Sequence, residues 1–424
     1  MTGSAPYDHL VINALPPVRW FRTFGRPPRI LGLDVARALA ILGMVGAHIG
    51  ETEPFDWFDP ATWTDLVHGR SSILFAVLAG VSIALMTGRS TLPERERIPS
   101  IRLNLVGRGA VIFVIGLALE MLNTPIAVIL TLYGLLYVAV IPFLRWRPWQ
   151  LLAGAGVLAL LGPALLAFLN AVMLYPFGSG IGFVLYGTYP ITVWMALVLG
   201  GMALGRLGVE RIRTAVIALC IGVGLAVVGY GLGAIGQSAG ITGSSSSSSF
   251  VDGSSFTDGS SFTDGSSFTG GDSLTDSSFG SIVSSPSGWN GYPASLADAD
   301  PLGAALAAVF SVEPHSGGTA EVLGSGGFAL AVIALCVLLS RPLRWPMLPF
   351  GALGSMPLTA YSAHVLSITA VGGPGAFFSS NVFWAATAVA LLLAATAWSM
   401  FLGRGPLERL VGRGAAAMAA IPRR

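Results

Sequence analysis

Of the chain's 23 cationic residues, all arginine, 21 fall in six clusters, at 19–29, 89–108, 145–147, 206–213, 341–344 and 404–424. Successive clusters are separated by two long apolar segments. Arginine concentrates on the cytoplasmic loops of membrane proteins, so this spacing predicts a chain that crosses a bilayer twice between clusters, with both termini cytoplasmic. The exceptions are Arg37, inside the first apolar segment, and Arg70, at the start of the second. The remaining composition agrees: 53% of residues are hydrophobic, 10% are charged, and the mean hydropathy is +0.73, outside the range of soluble chains of this length.

Each crossing needs roughly 17–25 mainly apolar residues. On that basis ten spans are expected near 30–50, 67–87, 104–122, 126–144, 149–173, 188–206, 214–236, 321–340, 345–371 and 382–402: an all-α, polytopic bundle in the cell membrane, N-in and C-in. The even number matches the arginine pattern. The expected organisation is a cytoplasmic tail over 1–29, a seven-helix block over 30–236, an outer loop over 237–300, a three-helix block over 301–404 and a cytoplasmic tail over 405–424. The outer loop holds a serine run and DGSSFT-type repeats, too polar to offset ordering entropy by burial. The segment 301–318, apolar but too short to span, reads as an interfacial or re-entrant helix. No apolar core precedes a small-residue cleavage site near the start, so no removable signal peptide is expected. A net charge of +2 and the segregation of charge to loops give no support for nucleic-acid binding. Cys220 and Cys336 lie in apolar spans and read as small core residues.

Ionisable groups within spans are costly and are functional candidates by default. In LDVARALAILGMVGAH, Asp34 is the i, i+3 partner of Arg37, and His48 follows Arg37 by eleven residues. Eleven residues are nearly three helical turns, which puts the guanidinium and the imidazole on one face about 16 Å apart. His48 suits general-base work near neutral pH, with Glu51 as the nearest candidate orienter; a role as an interfacial cap stays open, as does a purely structural Asp34–Arg37 pair. His68 and Arg70 open the second span, and Arg70 calls for an acidic loop residue or an anionic acceptor to offset it. Tyr361 and His364 lie one turn apart in the ninth span. His315, in EPHSGG, reads as an exposed loop residue. No spacing here is that of a metal site.

Arg37 and His48 fit the Arg-x10-His signature of membrane acyltransferases. GLDVARALAILGMVGAH and HGRSSILFAVLAGVSIAL resemble the first and second helices of the YeiB-like branch of the transmembrane acyltransferase superfamily, which includes the heparan-α-glucosaminide N-acetyltransferases. PLTAYSAH at 357–364 and GPLERL at 405–410 resemble its C-terminal signatures. The resemblance implies transfer of an acetyl or other short acyl group, to oxygen or nitrogen, from cytoplasmic acetyl-CoA or another acyl-CoA. The implied acceptor is an outer-face glycan, a lipid-linked sugar or a related small molecule. On that reading His48, Arg37 and Asp34 are catalytic, His68, Arg70, Tyr361 and His364 bind substrate, and the only other partner is membrane lipid. The competing readings are a secondary transporter with a buried Asp/Arg/His relay and a non-catalytic scaffold. The transporter reading lacks internal repeats with matched broken helices, and the scaffold reading leaves the Asp34–Arg37–His48 face without a purpose.

Overall fold

A computed structural model of the protein describes residues 16–51, 58–174, 179–242, 289 and 291–420. Among these residues the chain is helical throughout, with no strand. The helices are α1 (Pro16–Thr23), α2 (Leu31–Ile49), α3 (Arg70–Met86), α4 (Ile98–Glu120), α5 (Leu130–Ala139), α6 (Pro148–Met173), α7 (Ile191–Arg206) and α8 (Ile212–Ser238). They continue as α9 (Tyr292–Ala299), α10 (Pro301–Phe310), α11 (Thr319–Leu339), α12 (Arg344–Gly354), α13 (Pro357–Gly372), α14 (Asn381–Phe401) and α15 (Pro406–Ala419). Among the described residues, seven helical segments are long and apolar enough to cross a bilayer: α2, α3 with the turn before it, α4, α6, α8, α11 and α14. The apolar helices α5 and α7 are shorter.

Helix α2 is the hub. It packs against α3, α11, α12, α13 and α14, and 72% of its apolar stretch is buried, against 17% for α6 and α14. The peripheral helices turn large apolar side chains outward, such as Leu161 and Leu165 on α6 and Val227 and Val228 on α8, as lipid-facing surfaces require. Small residues set the closest approaches. A Cβ on Gly80 of α3 would collide with the Val198 carbonyl of α7, and one on Gly201 of α7 with the Val77 carbonyl of α3. The α8–α11 pair meets in the same way at Gly222, Gly229 and Gly327. Where apolar burial cannot drive helices together, such backbone approach maximises packing.

The structure corrects several expectations. The ninth span is not one helix over 345–371: it breaks at Ser355–Met356 into α12 and α13, because Pro357 has no N–H to continue the ladder. At the break, α12 presses on α2 so closely that a Cβ on Gly354 would fall on the Asp34 carbonyl. The orphaned first-turn amides of α13 find an acceptor in another helix. Glu408 Oε1 accepts from Leu358 N (2.8 Å) and Thr359 N (3.1 Å), while Thr359 Oγ1 donates to Glu408 Oε2 (2.6 Å). The PLTAYSAH and GPLERL segments are thus bonded to each other. Within the 405–424 segment, α15 packs along α4. The 1–29 segment contains α1, anchored by Trp20 Nε1 donating to Ser399 Oγ of α14 (2.8 Å). Most of the serine/glycine loop lies outside the described residues, but the end of that loop is the helix α9, whose Tyr292 hydroxyl donates to the Val172 carbonyl (2.8 Å).

Two outcomes test this packing. Gly201→Ala is expected to destabilise the protein by about 1–3 kcal/mol or more, whereas Gly200→Ala next to it, with open space around its Cβ position, leaves stability unchanged or slightly raised; melting in detergent reads both. Glu408→Ala should cost about 2–3 kcal/mol through the stranded amides of α13. Glu408→Gln, which keeps one acceptor oxygen, recovers part of that loss.

Candidate functional site

The buried ion pair near the start of α2 is a three-residue arrangement. Asp34 Oδ1 accepts from Arg37 Nη1 (2.5 Å), as its i, i+3 spacing predicts, and Asp34 Oδ2 accepts from Arg29 Nη1 (2.8 Å), a partner that spacing alone does not single out. Arg37 Nη2 reaches across to Ser82 Oγ on α3 (2.9 Å), and Ser82 passes the bond to the Leu78 carbonyl (2.6 Å). The carboxylate therefore has both oxygens charge-paired, the condition on which a buried charge is tolerated.

Arg37 also lines a cleft of about 170 Å³ between α2, α3, α4, α5, α13 and α15, together with Ser82, Arg108, Tyr133, Tyr137, Leu358 and Glu408. Arg108 is steadied by its Nε donating to Asn104 Oδ1 (3.0 Å). Two guanidinium groups at the edge of a mostly apolar recess suit an elongated ligand with an anionic end.

The histidines gather further along α2 and α13. His48 Nδ1 lies 3.0 Å from His364 Nε2, with the rings nearly parallel. A hydrogen bond between two imidazoles needs one ring to offer a lone pair, so the pair can take up one further proton but not two without breaking. His364 is fully buried, and Tyr361, one turn before it, packs edge-on against its ring at 5.0 Å. His68 and His315 lie within electrostatic range of His48. His68 Nδ1 is buried without a partner. Among the described residues, no three His, Cys, Asp or Glu side chains are placed to hold a metal ion.

The turn carrying His315 is organised by a group that the sequence reading passed over. Glu321, buried at the head of α11, accepts from His315 N (2.8 Å), Gly317 N (2.8 Å) and Ser316 Oγ (3.1 Å). A lone carboxylate opening an apolar span was the available signal. His315 is not the exposed loop residue expected: it packs edge-on against Tyr189, and burial, helped by the nearby His68, pushes its pKa down to about 4. It is therefore neutral at physiological pH.

Two further sequence expectations are revised. Among the described residues Arg70 forms no ion pair with an acidic loop side chain, although Glu321 at the head of α11 lies within electrostatic range of it. Arg70 Nε donates to the Tyr230 hydroxyl on α8 (2.7 Å) and Arg70 Nη1 to the Asp65 carbonyl (3.0 Å). Glu51, nominated as the orienter of His48, is exposed and bonded to Asn381, while the partner His48 has is His364. The predicted residues thus form two groups, Asp34–Arg37 at the cleft and His48–His364–Tyr361 with His68 nearby, while Arg70 belongs to a neighbouring network with Tyr230 and Ser325. The sequence reading missed Arg29, Ser82, Arg108, Tyr133, Glu321 and Glu408.

No curated protein matches the chain. Residues 29–230 match the family model described as heparan-alpha-glucosaminide N-acetyltransferase, catalytic. The matched residues include Asp34, Arg37, His48, His68 and Arg70, while Tyr361, His364 and Glu408 lie beyond them. The stretch from Arg29 to Tyr230 thus carries the pattern of the heparan-α-glucosaminide N-acetyltransferase-like branch of the membrane acyltransferases, the branch that α2 and α3 resemble.

Proposed function

We propose that the protein is a multi-pass membrane acetyltransferase that moves an acetyl group from acyl-CoA, entering from a cytoplasmic, arginine-rich end, to an acceptor amine or hydroxyl entering from the opposite side. The observation that carries this reading is the layout of α2 and α13, which both run from the arginine-lined cleft to the histidine pair. Eleven residues of helix rise separate Arg37 from His48 by about 16 Å, of the order of an extended pantetheine arm. The phosphates of CoA would sit against the arginine loops and the thioester near His48 and His364. The arginine clusters support ten crossings with both termini inside. The family name gives an α-glucosaminide amine as the acceptor of the matched family; a sugar amine or a lipid-linked or glycan hydroxyl is the class that we assign here.

The chemistry follows from the two groups. In the tautomer in which His48 Nδ1–H donates to His364 Nε2, the lone pair of His48 Nε2 takes the acceptor's proton. The acceptor heteroatom attacks the thioester carbonyl carbon, the carbonyl electrons move onto oxygen, and collapse of the tetrahedral species breaks the C–S bond. The imidazolium then returns its proton to the departing thiolate. His364 holds the tautomer and orientation of His48, as a second group commonly does for a catalytic imidazole. Arg37, fixed by Asp34 and Ser82, holds the donor in place.

Purified protein in proteoliposomes with acetyl-labelled acetyl-CoA and methyl α-glucosaminide as probe acceptor should yield an acetylated sugar. His48→Ala should lower transfer by about 10²–10⁴-fold and cost about 1–3 kcal/mol of stability through the buried His364 nitrogen that it leaves unpaired. Asp34→Ala, which leaves Arg37 buried without its carboxylate, should cost about 3–5 kcal/mol of stability. Arg37→Ala should cost less, about 1.5–3 kcal/mol, because Arg29 still holds Asp34, and should raise the KM for acetyl-CoA. Movement of solute or protons without cleavage of acetyl-CoA would favour the transporter reading instead.

A further inference from the structure

Tyr133 sits on α5, within an apolar run that reads as plain core. Its ring is locked edge-on between Phe75 (centroids 5.3 Å apart) and Trp194 (6.4 Å), and the residue is only 3% exposed. It lines the cleft beside Arg37 and Arg108, yet its hydroxyl oxygen is sealed from solvent with no hydrogen-bond partner. Buried hydroxyls without partners are rare, because the desolvation of the O–H is not repaid. A phenylalanine would fill the same space without that loss. Tyr133 is also within electrostatic range of Tyr361, whose ring contacts His364.

We infer that Tyr133 is a catalytic hydrogen-bond donor to the carbonyl oxygen of the acyl thioester. This rests on the acetyl-transfer reading above. The cleft already supplies cations for phosphate, and the imidazoles handle the acceptor's proton; neither neutralises the negative charge that the carbonyl oxygen gains as the acceptor attacks. A phenol held rigidly by two aromatic neighbours is a preorganised donor for that oxygen, worth most where water is excluded. No proton leaves Tyr133 in the step. Its O–H bond to the carbonyl strengthens as the oxyanion forms and relaxes when the C–S bond breaks and the thiolate departs.

Tyr133→Phe tests this without disturbing the ring packing. Wild-type turnover of acetyl-CoA with methyl α-glucosaminide is measured first; if there is none, it is the acetyl-transfer reading that fails. With wild-type turnover in hand, Tyr133→Phe should lower kcat by about 10²-fold or more, leave the KM for acetyl-CoA and the affinity for CoA itself nearly unchanged, and hold or raise the melting temperature. Two results would overturn the inference: wild-type kcat in Tyr133→Phe, or a loss confined to CoA affinity, which would place the hydroxyl on the pantetheine arm. Should the variant fold poorly, Tyr133→Leu on the wild-type scale of CoA binding separates a packing defect, in which binding and turnover fall together, from the selective loss of kcat.

Discussion

A carboxylate held by two arginines inside the most enclosed of the long crossing helices is the interaction on which the rest of this molecule depends. Asp34 cannot be carried into an apolar bundle alone, and Arg29 and Arg37 between them occupy both of its oxygens. Arg37 in turn reaches Ser82 on α3, so the neutralised charge ties the first two crossing helices together. The Asp34 carbonyl abuts Gly354 at the end of α12. The same residue therefore anchors α2 through its side chain and receives the broken helix through its backbone, and the cleft opens beside it.

The break between α12 and α13 has a functional consequence. A continuous span would bury PLTAYSAH as ordinary wall, whereas the break starts a new helix at the cleft, with Leu358 at its rim and Tyr361 and His364 one and two turns further along. Glu408 from α15 holds that start in place. The C-terminal helix thus fixes where the second imidazole of the pair stands, although it lies outside the stretch that matches the acetyltransferase family.

Much of this was legible in the residues. The arginine clusters and apolar runs lead to an all-helical membrane bundle, and the helical spacing of Asp34, Arg37 and His48 places them on one face because 3.6-residue periodicity is local. What depends on distant contacts was not legible. His364 reads as one of several buried histidines until α13 meets α2, and Glu408 reads as the first-turn acid of a terminal segment until α15 folds back. Arg29 looks like a loop arginine because its partner lies five residues on, across the start of the helix. The break at Pro357 is hidden because membrane helices tolerate proline within apolar runs, and Tyr133 is hidden because an aromatic among leucines looks like core.

The central claim is that one ligand spans the cleft and the histidine pair. A cryo-EM map of the protein in nanodiscs with bound CoA tests it most directly. The phosphates are expected against the arginine-rich end, the pantetheine running past Arg37, and the thiol between the Tyr133 hydroxyl and the His48–His364 pair. Density for CoA at any other surface, with the cleft empty and the two imidazoles facing only each other, would contradict it.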